Sequence, residues 1–223
     1  MRFIHTADIH LGASPDAGSA YSQRRAEELW NSLERLVKVC EEEQVDLLLI
    51  AGDLFHRQPL LRELKEVDYL FSQLTHTKIV FIAGNHDYLK PSSYYLTYQW
   101  KSQVYPLLEQ TMGFVEFEEL GTSVYGFSYG QKEIREALYT DAFPQKKQPV
   151  EILIAHGGDE KHIPIQRNNI MNLGYDYVAL GHIHRPMEIE KNHIYYSGSL
   201  EPTDKNDVGK HGYIIGEIRG KSV

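Results

Sequence analysis

The chain has 223 residues, 42% hydrophobic and 24% charged, which is the usage of an ordinary globular domain long enough to bury a core. Its single cysteine, Cys40, excludes an intramolecular disulfide framework and a four-cysteine zinc site, and apolar runs such as 47–51 are far too short to cross a bilayer. The formal charge of −8 divides evenly, −4 in residues 1–111 and −4 in 112–223, so no basic half or tail offers a field for nucleic-acid phosphates. The opening MRFIHTADIH carries no apolar leader, and a cytoplasmic location is the expectation.

Residues 2–7 read as a short strand ending at Asp8, followed by a loop holding Gly12, Ser14, Pro15 and Gly18. Over 24–43, Leu29, Leu33, Leu36, Val37 and Cys40 recur at helical spacing, and Glu27, Glu28, Arg35, Glu41 and Glu42 fall on the far face. The run 46–51 is continuously apolar, as in a strand covered on both faces, and leads into Gly52-Asp53. Residues 60–75 read as a helix and 78–83 as another buried strand, closing at Gly84. This alternation predicts a parallel α/β arrangement.

Further on, 114–118 and 123–128 read as strands and 131–139 as a helix. Two more buried strands, 150–155 and 175–180, end at His156 and Gly181, and 187–218 resembles antiparallel strands and turns. No repeat or linker divides the chain, so one domain is expected.

The residues that follow these strands form a pattern: Asp8-Ile9-His10, Gly52-Asp53, Gly84-Asn85-His86-Asp87, His156-Gly157 and Gly181-His182-Ile183-His184. In open α/β sheets, sites form beyond the carboxyl ends of strands. Alternation would place Asp8 and His10 on one side, and likewise His182 and His184. Nitrogen and oxygen donors without thiolate suit divalent ions such as Mn, Fe or Zn. Seven ligands exceed one tetrahedral ion and fit two ions sharing a carboxylate. Such a pair clamps both oxygens of a phosphoryl displacement and makes a hydroxide nucleophile available near neutral pH.

Single elements of this pattern are weak signals. An Asp after a strand is often a helix cap, and His5, His76, His162, His193 and His211 read as ordinary surface or hydrogen-bonding residues. Tyr94, Tyr95, Tyr98, Trp100 and Tyr105 are either a base-stacking platform or aromatic core positions, and Cys40 reads as inert packing.

The whole ordered set resembles the calcineurin-like metallophosphoesterases from Asp8 to Ser199. That resemblance implies an α/β fold, a four-layer αββα sandwich of two mixed β-sheets flanked by helices, filling 1–223 as one catalytic domain with no separate capping domain. It implies one metal on Asp8, His10, Asp53 and His184, and a second on Asp53, Asn85, His156 and His182, with Asp53 bridging. His86 would stand outside the coordination sphere, facing the phosphate as proton donor or transition-state stabiliser.

In the family's protein phosphatases the second motif is G-D-x-x-D, whose second Asp pairs with the His of G-N-H. Here Gly52-Asp53-Leu54-Phe55-His56 puts His56 in that place, which implies that His56 orients His86. This segment, H-T-A-D-I-H-L-G at 5–12 and Tyr196-Ser197-Gly198-Ser199-Leu200-Glu201 are similar to the SbcD-type DNA double-strand-break repair nucleases. That branch implies a DNA substrate, manganese in preference to Fe, Zn, Ni or Co, and an SbcC/Rad50-type ATPase partner. Those nucleases continue past the G-S motif into a DNA-capping region and a partner-binding segment; 24 residues follow Ser199 here, and the partner would be reached through regions outside this chain. The acidic balance predicts weak DNA binding by the chain alone and fits a second reading, a cyclic-nucleotide phosphodiesterase. A non-catalytic binding module is opposed by the complete ligand set.

Overall fold

Three apolar runs become parallel strands of one sheet: β1 (Arg2–Thr6), β2 (Leu47–Ala51) and β3 (Lys78–Ile82). The structure is a computed structural model that describes residues 1–220; the last three residues of the expected domain lie outside the described residues. Because side chains alternate along a strand, each run feeds two cores. Ile4, Leu48, Ile50, Ile79 and Phe81 pack under α1 (Ser22–Glu42) and α2 (Leu61–Phe71), against Leu29, Leu33, Leu36, Val37, Leu64 and Val67. Phe3, Leu47, Leu49, Val80 and Ile82 point the other way, onto a second sheet.

After β3, the chain adds β4 (Val104–Pro106), parallel to it at the sheet edge. The second sheet holds β5 (Gly113–Phe117), β6 (Thr122–Gly126), β7 (Val150–His156), β8 (Tyr177–Gly181), β9 (Met187–Glu190) and β10 (Ile194–Tyr196), in the order β5-β6-β7-β8-β10-β9. β6, β7, β8 and β10 run parallel, and β5 and β9 close the two edges antiparallel. The first sheet is completed by β11 (Ile214–Glu217), antiparallel to β1, giving β11-β1-β2-β3-β4. The outer face of the second sheet is covered by α3 (Arg167–Met171) and by loop residues such as Ile134, Tyr139 and Ile163. Two mixed sheets flanked by helices are thus the architecture the resemblance implied. No helix among the described residues is long and apolar enough to cross a membrane.

Two expectations need correction. Residues 131–139 form bends and a turn, not a helix. Ile134 donates to Lys161 O at 2.8 Å and accepts from Ile163 N at 2.7 Å, so a long-range bridge has taken the groups a helix would use. The tail is only partly antiparallel: β10 runs parallel to β8, and residues 197–213 form a strap without strand structure. Of the two readings of the aromatic cluster, the core one holds for most of it. Tyr95, on a 3-10 turn at Tyr94–Leu96, is fully buried, Tyr98 and Trp100 pack on the helix-side core, and Tyr105 packs between the sheets. Cys40 is buried in the core, and burial pushes its thiol up to about 12. His5 is buried between the sheets, bonded to Tyr177 Oη at 3.0 Å and Leu180 O at 3.2 Å.

Candidate metal centre

The carboxyl ends of β1, β2 and β3 in one sheet and of β7 and β8 in the other meet at one edge of the sandwich. Contacts across the sheets tie them together. His182 N donates to Asp8 Oδ2 at 2.9 Å, and the Ala51 carbonyl accepts from His156 Nδ1 at 2.8 Å. The alternation argument for Asp8–His10 and His182–His184 does not hold here, since these residues lie past the regular strands. Asp8, His10 and Asp53 have φ of +51°, +52° and +52°, and His182 has +92°, a left-handed backbone that non-glycine residues adopt only at a cost. That backbone, rather than strand pleating, aims their side chains. Gly84 is required for a steric reason: a Cβ there would run into the Asp53 carboxylate.

The seven acidic, amide and imidazole residues assemble into two adjoining sets. Asp8, His10 and His184 bring ligand atoms within 4.8 Å of one another, and so do Asp8, Asp53 and His156. His10 Nε2 and His184 Nε2 face each other at 3.0 Å. Asn85 Oδ1 lies 2.9 Å from His156 Nε2 and 3.1 Å from His182 Nδ1. Asp8 is common to both sets, and Asp53 Oδ2 reaches toward each, 3.4 Å from His156 Nε2 and 3.9 Å from His10 Nε2.

Charge in this site is concentrated out of water. Burial pushes the Asp8 carboxyl up to about 6, against the pull of His156 and His184. Burial also opposes ionisation of Asp53, but the surrounding histidines, His156 foremost, hold its carboxyl below the usual carboxylate range. Burial disfavours a charged His156 ring as well, and Asp53 reverses this, raising it to about 9. His182 is lowered to about 4 by burial and by His156, and His10 falls well below its ordinary value, chiefly through burial.

A cation fits these donors. His182 donates through Nε2 to Asp159 Oδ2 at 2.7 Å, so the neutral ring turns its Nδ1 lone pair toward Asn85 Oδ1, and two acceptors face each other. A divalent ion among these atoms would relieve that opposition.

His86 sits beside this group. Its amide donates to Asp53 Oδ1 at 2.9 Å, and its Nδ1 donates to the main-chain carbonyl of His56 at 3.2 Å, leaving Nε2 free. The ring of His56 makes no hydrogen bond to His86. It packs on it at a centroid distance of 4.6 Å and places Nδ1 3.3 Å from His10 Nδ1.

Several residues to which the sequence reading gave no role support the site. Asp87 is buried and accepts from Gly84 N (2.8 Å), Phe55 N (3.1 Å) and Tyr95 Oη (2.7 Å), pinning the β3 loop to the β2 loop. Burial, then Asp53, raises its carboxyl to about 7. Tyr139 Oη accepts from His156 N, while Tyr129 and Tyr196 donate to the carbonyls of His156 and Gly157, at 3.0–3.1 Å. Asp159 and Asp207 bond His182 and His184. Asp87 closes the Gly84-Asn85-His86-Asp87 motif and Tyr196 opens the 196–201 segment, so both were findable there; the others carry no local signal.

A sequence model of the calcineurin-like phosphoesterases matches residues 1–186. The chain belongs to that family. It is 28% identical to YhaO, an uncharacterized metallophosphoesterase of Bacillus subtilis (strain 168), over 96% of this chain and 57% of that protein. The chain therefore spans little more than half the length of that relative. Among solved structures, TT1561 of Thermus thermophilus superposes with a TM-score of 0.57 at 12% identity, covering 89% of each chain. GAP50, the anchor in the inner membrane complex of Plasmodium, gives 0.51 at 13%, over 96% of this chain and 80% of that one. Both show the shared fold. Membership in the family makes the buried Asp and His groups candidate ligands of a divalent metal.

Proposed function

We propose that the chain hydrolyses phosphodiester bonds with two divalent ions, and that its substrate is DNA. The observation that carries the two-ion reading is the reach of Asp53 Oδ2 toward both donor sets, with Oδ1 fixed by the His86 amide. Asp8, His10, Asp53 and His184 would hold one ion, and Asp53, Asn85, His156 and His182 the other. Two ions held there polarise the phosphodiester and supply the acidity that makes water a nucleophile near neutral pH. His86, with Nδ1 committed to the His56 carbonyl, offers Nε2 to the departing oxygen, as a proton donor or a hydrogen bond to developing charge.

The DNA assignment rests on Gly52-Asp53-Leu54-Phe55-His56 and the flanking motifs that resemble SbcD-type nucleases. Manganese as the native metal, action in the cytoplasm and an ATPase partner of the SbcC type belong to the same proposal. The charge of −8 favours a small diester instead, since little counterion release accompanies DNA binding. On the DNA reading, binding by this chain alone is weak and its salt dependence shallow.

The test is a matrix of Mn, Mg, Zn, Fe, Ni and Co against linear duplex DNA, single-stranded DNA and 2′,3′-cyclic nucleotides. Manganese-dependent cleavage of linear DNA at high enzyme concentration is the expected result. Rapid turnover of cyclic nucleotides with no DNA cleavage moves the assignment to the small-molecule reading.

A further inference from the structure

We propose that Asp159 and Asp207 are positioning residues that fix the two histidines of Gly181-His182-Ile183-His184 in opposite tautomers, so that His182 presents Nδ1 and His184 presents Nε2 to the ions. The inference rests on the two-ion reading above and deepens it.

Each carboxylate meets the ring nitrogen that points away from the centre. Asp159 Oδ2 is 2.7 Å from His182 Nε2, and Asp207 Oδ2 is 3.0 Å from His184 Nδ1. An ionised carboxylate only accepts, so the nitrogen it touches carries a proton, and in the neutral ring the other nitrogen presents its lone pair. Those other nitrogens are the ones inside the site: His182 Nδ1 beside Asn85 Oδ1 at 3.1 Å, and His184 Nε2 opposite His10 Nε2 at 3.0 Å. Two histidines separated by one residue thus use different ring atoms.

Neither carboxylate is a loose surface group. Asp159, in the loop after β7, also accepts from Lys161 N (2.7 Å), His162 N (3.0 Å) and His162 Nδ1 (2.9 Å). Asp207 accepts from Thr203 N at 3.1 Å, and its own carbonyl accepts from His211 Nε2 at 3.1 Å. The strap that carries Asp207 is fastened to α1. Glu201 bonds Ser32 and, at 3.2 Å, Arg35, while Arg25 donates to Pro202 O at 2.9 Å. Each carboxylate lies 23 residues from its histidine, one before the motif and one after it.

Asp159, His162 and His182 also bring ligand atoms within 4.8 Å of one another and could be taken for an ion site of their own. An ion there would use His182 Nε2, the nitrogen this proposal commits to a proton, so the two assignments exclude each other.

The experiment uses the full chain with ¹⁵N-labelled histidine. Long-range ¹⁵N–¹H spectra of the ion-free protein are expected to show His182 protonated on Nε2 and His184 on Nδ1. Asp159→Ala and Asp207→Ala should each return their own ring to a tautomer mixture and weaken Mn²⁺ binding about 10–100-fold, the usual effect of losing an outer-shell partner. Asp159→Asn and Asp207→Asn keep an acceptor oxygen and the side-chain size, so they should keep the tautomer and weaken binding less. The same tautomer on both wild-type rings, or rings and affinity unmoved by both Ala variants, overturns the proposal. So does a third Mn²⁺ equivalent that disappears with His162→Ala. A wild-type chain that binds no Mn²⁺ defeats the two-ion reading alone, and the ring tautomers still decide this one.

Discussion

The main-chain amide of His86 donates to Asp53 Oδ1 at 2.9 Å, so the residue proposed to bridge two ions is fixed by the residue proposed to meet the leaving group. With Oδ1 committed, Oδ2 is left between His156 and His10. Asp53→Asn replaces a charged bridging oxygen by a neutral amide and weakens both donor sets. We expect Mn content to fall from two equivalents toward none, whereas His184→Gln should lose mainly one. The check is metal analysis after gel filtration. An Asp53→Asn protein that keeps two equivalents and full rate ends the bridging assignment.

His86→Ala separates backbone from ring. The amide that holds Asp53 remains, while the ring that offers Nε2 is gone. Mn content should be unchanged, and kcat on a phosphodiester should fall about 10²–10³-fold, the typical effect of removing one transition-state donor. Metal loss in step with activity would make His86 a ligand instead.

His56 acts on His86 through its carbonyl, at 3.2 Å, and not through its ring. His56→Ala keeps that carbonyl. The variant should therefore lose much less activity than His86→Ala, and what it loses should come through His10, whose Nδ1 faces the His56 ring at 3.3 Å. Steady-state kinetics of the two variants on one diester decides this. Equal losses would restore a direct role for the His56 ring.

The legible part of this molecule lies where local pattern and tertiary fate coincide. Leu47–Ala51 and Val150–His156 read as buried strands because both of their faces are covered, and the residues after them stand out as polar groups following apolar runs. β4 is illegible for the opposite reason. Val104, Tyr105 and Pro106 make a short edge strand, where a proline is tolerated and no apolar run forms. Residues 131–139 show helical spacing, yet Ile134 pairs with the 161–163 segment, a contact no local window contains. Asp159 and Asp207 sit in polar loops, where a carboxylate is unremarkable until the fold places a histidine against it.

Tyr139, in that misread segment, gives a stability prediction. Its hydroxyl accepts from the buried amide of His156 at 3.1 Å. Tyr139→Phe leaves that N–H without a partner, at a cost of about 1–3 kcal/mol. Urea unfolding should show a lower midpoint with an unchanged slope. An unchanged midpoint would mean that another group satisfies the His156 amide.

Acid should destabilise the fold through His5. Burial lowers this imidazole to about 3, against the smaller effect of its bond to Leu180 O, whereas an unfolded chain titrates it near 6.5. Between those values the unfolded state binds the extra proton. The stability associated with a neutral His5 is therefore complete above pH 6.5 and is lost as pH falls through that window toward 3. From pH 8 to pH 5, this one group should remove about 2 kcal/mol of stability. Other buried histidines add their own slopes, so the measurement must be a difference. His5→Gln keeps a polar side chain between Tyr177 and Leu180 but cannot take up a proton. Urea unfolding of both proteins at pH 8 and pH 5 should show the wild-type chain losing about 2 kcal/mol more than His5→Gln. Parallel losses would show that His5 stays uncharged across that range in both states, or pays no penalty for its charge when folded.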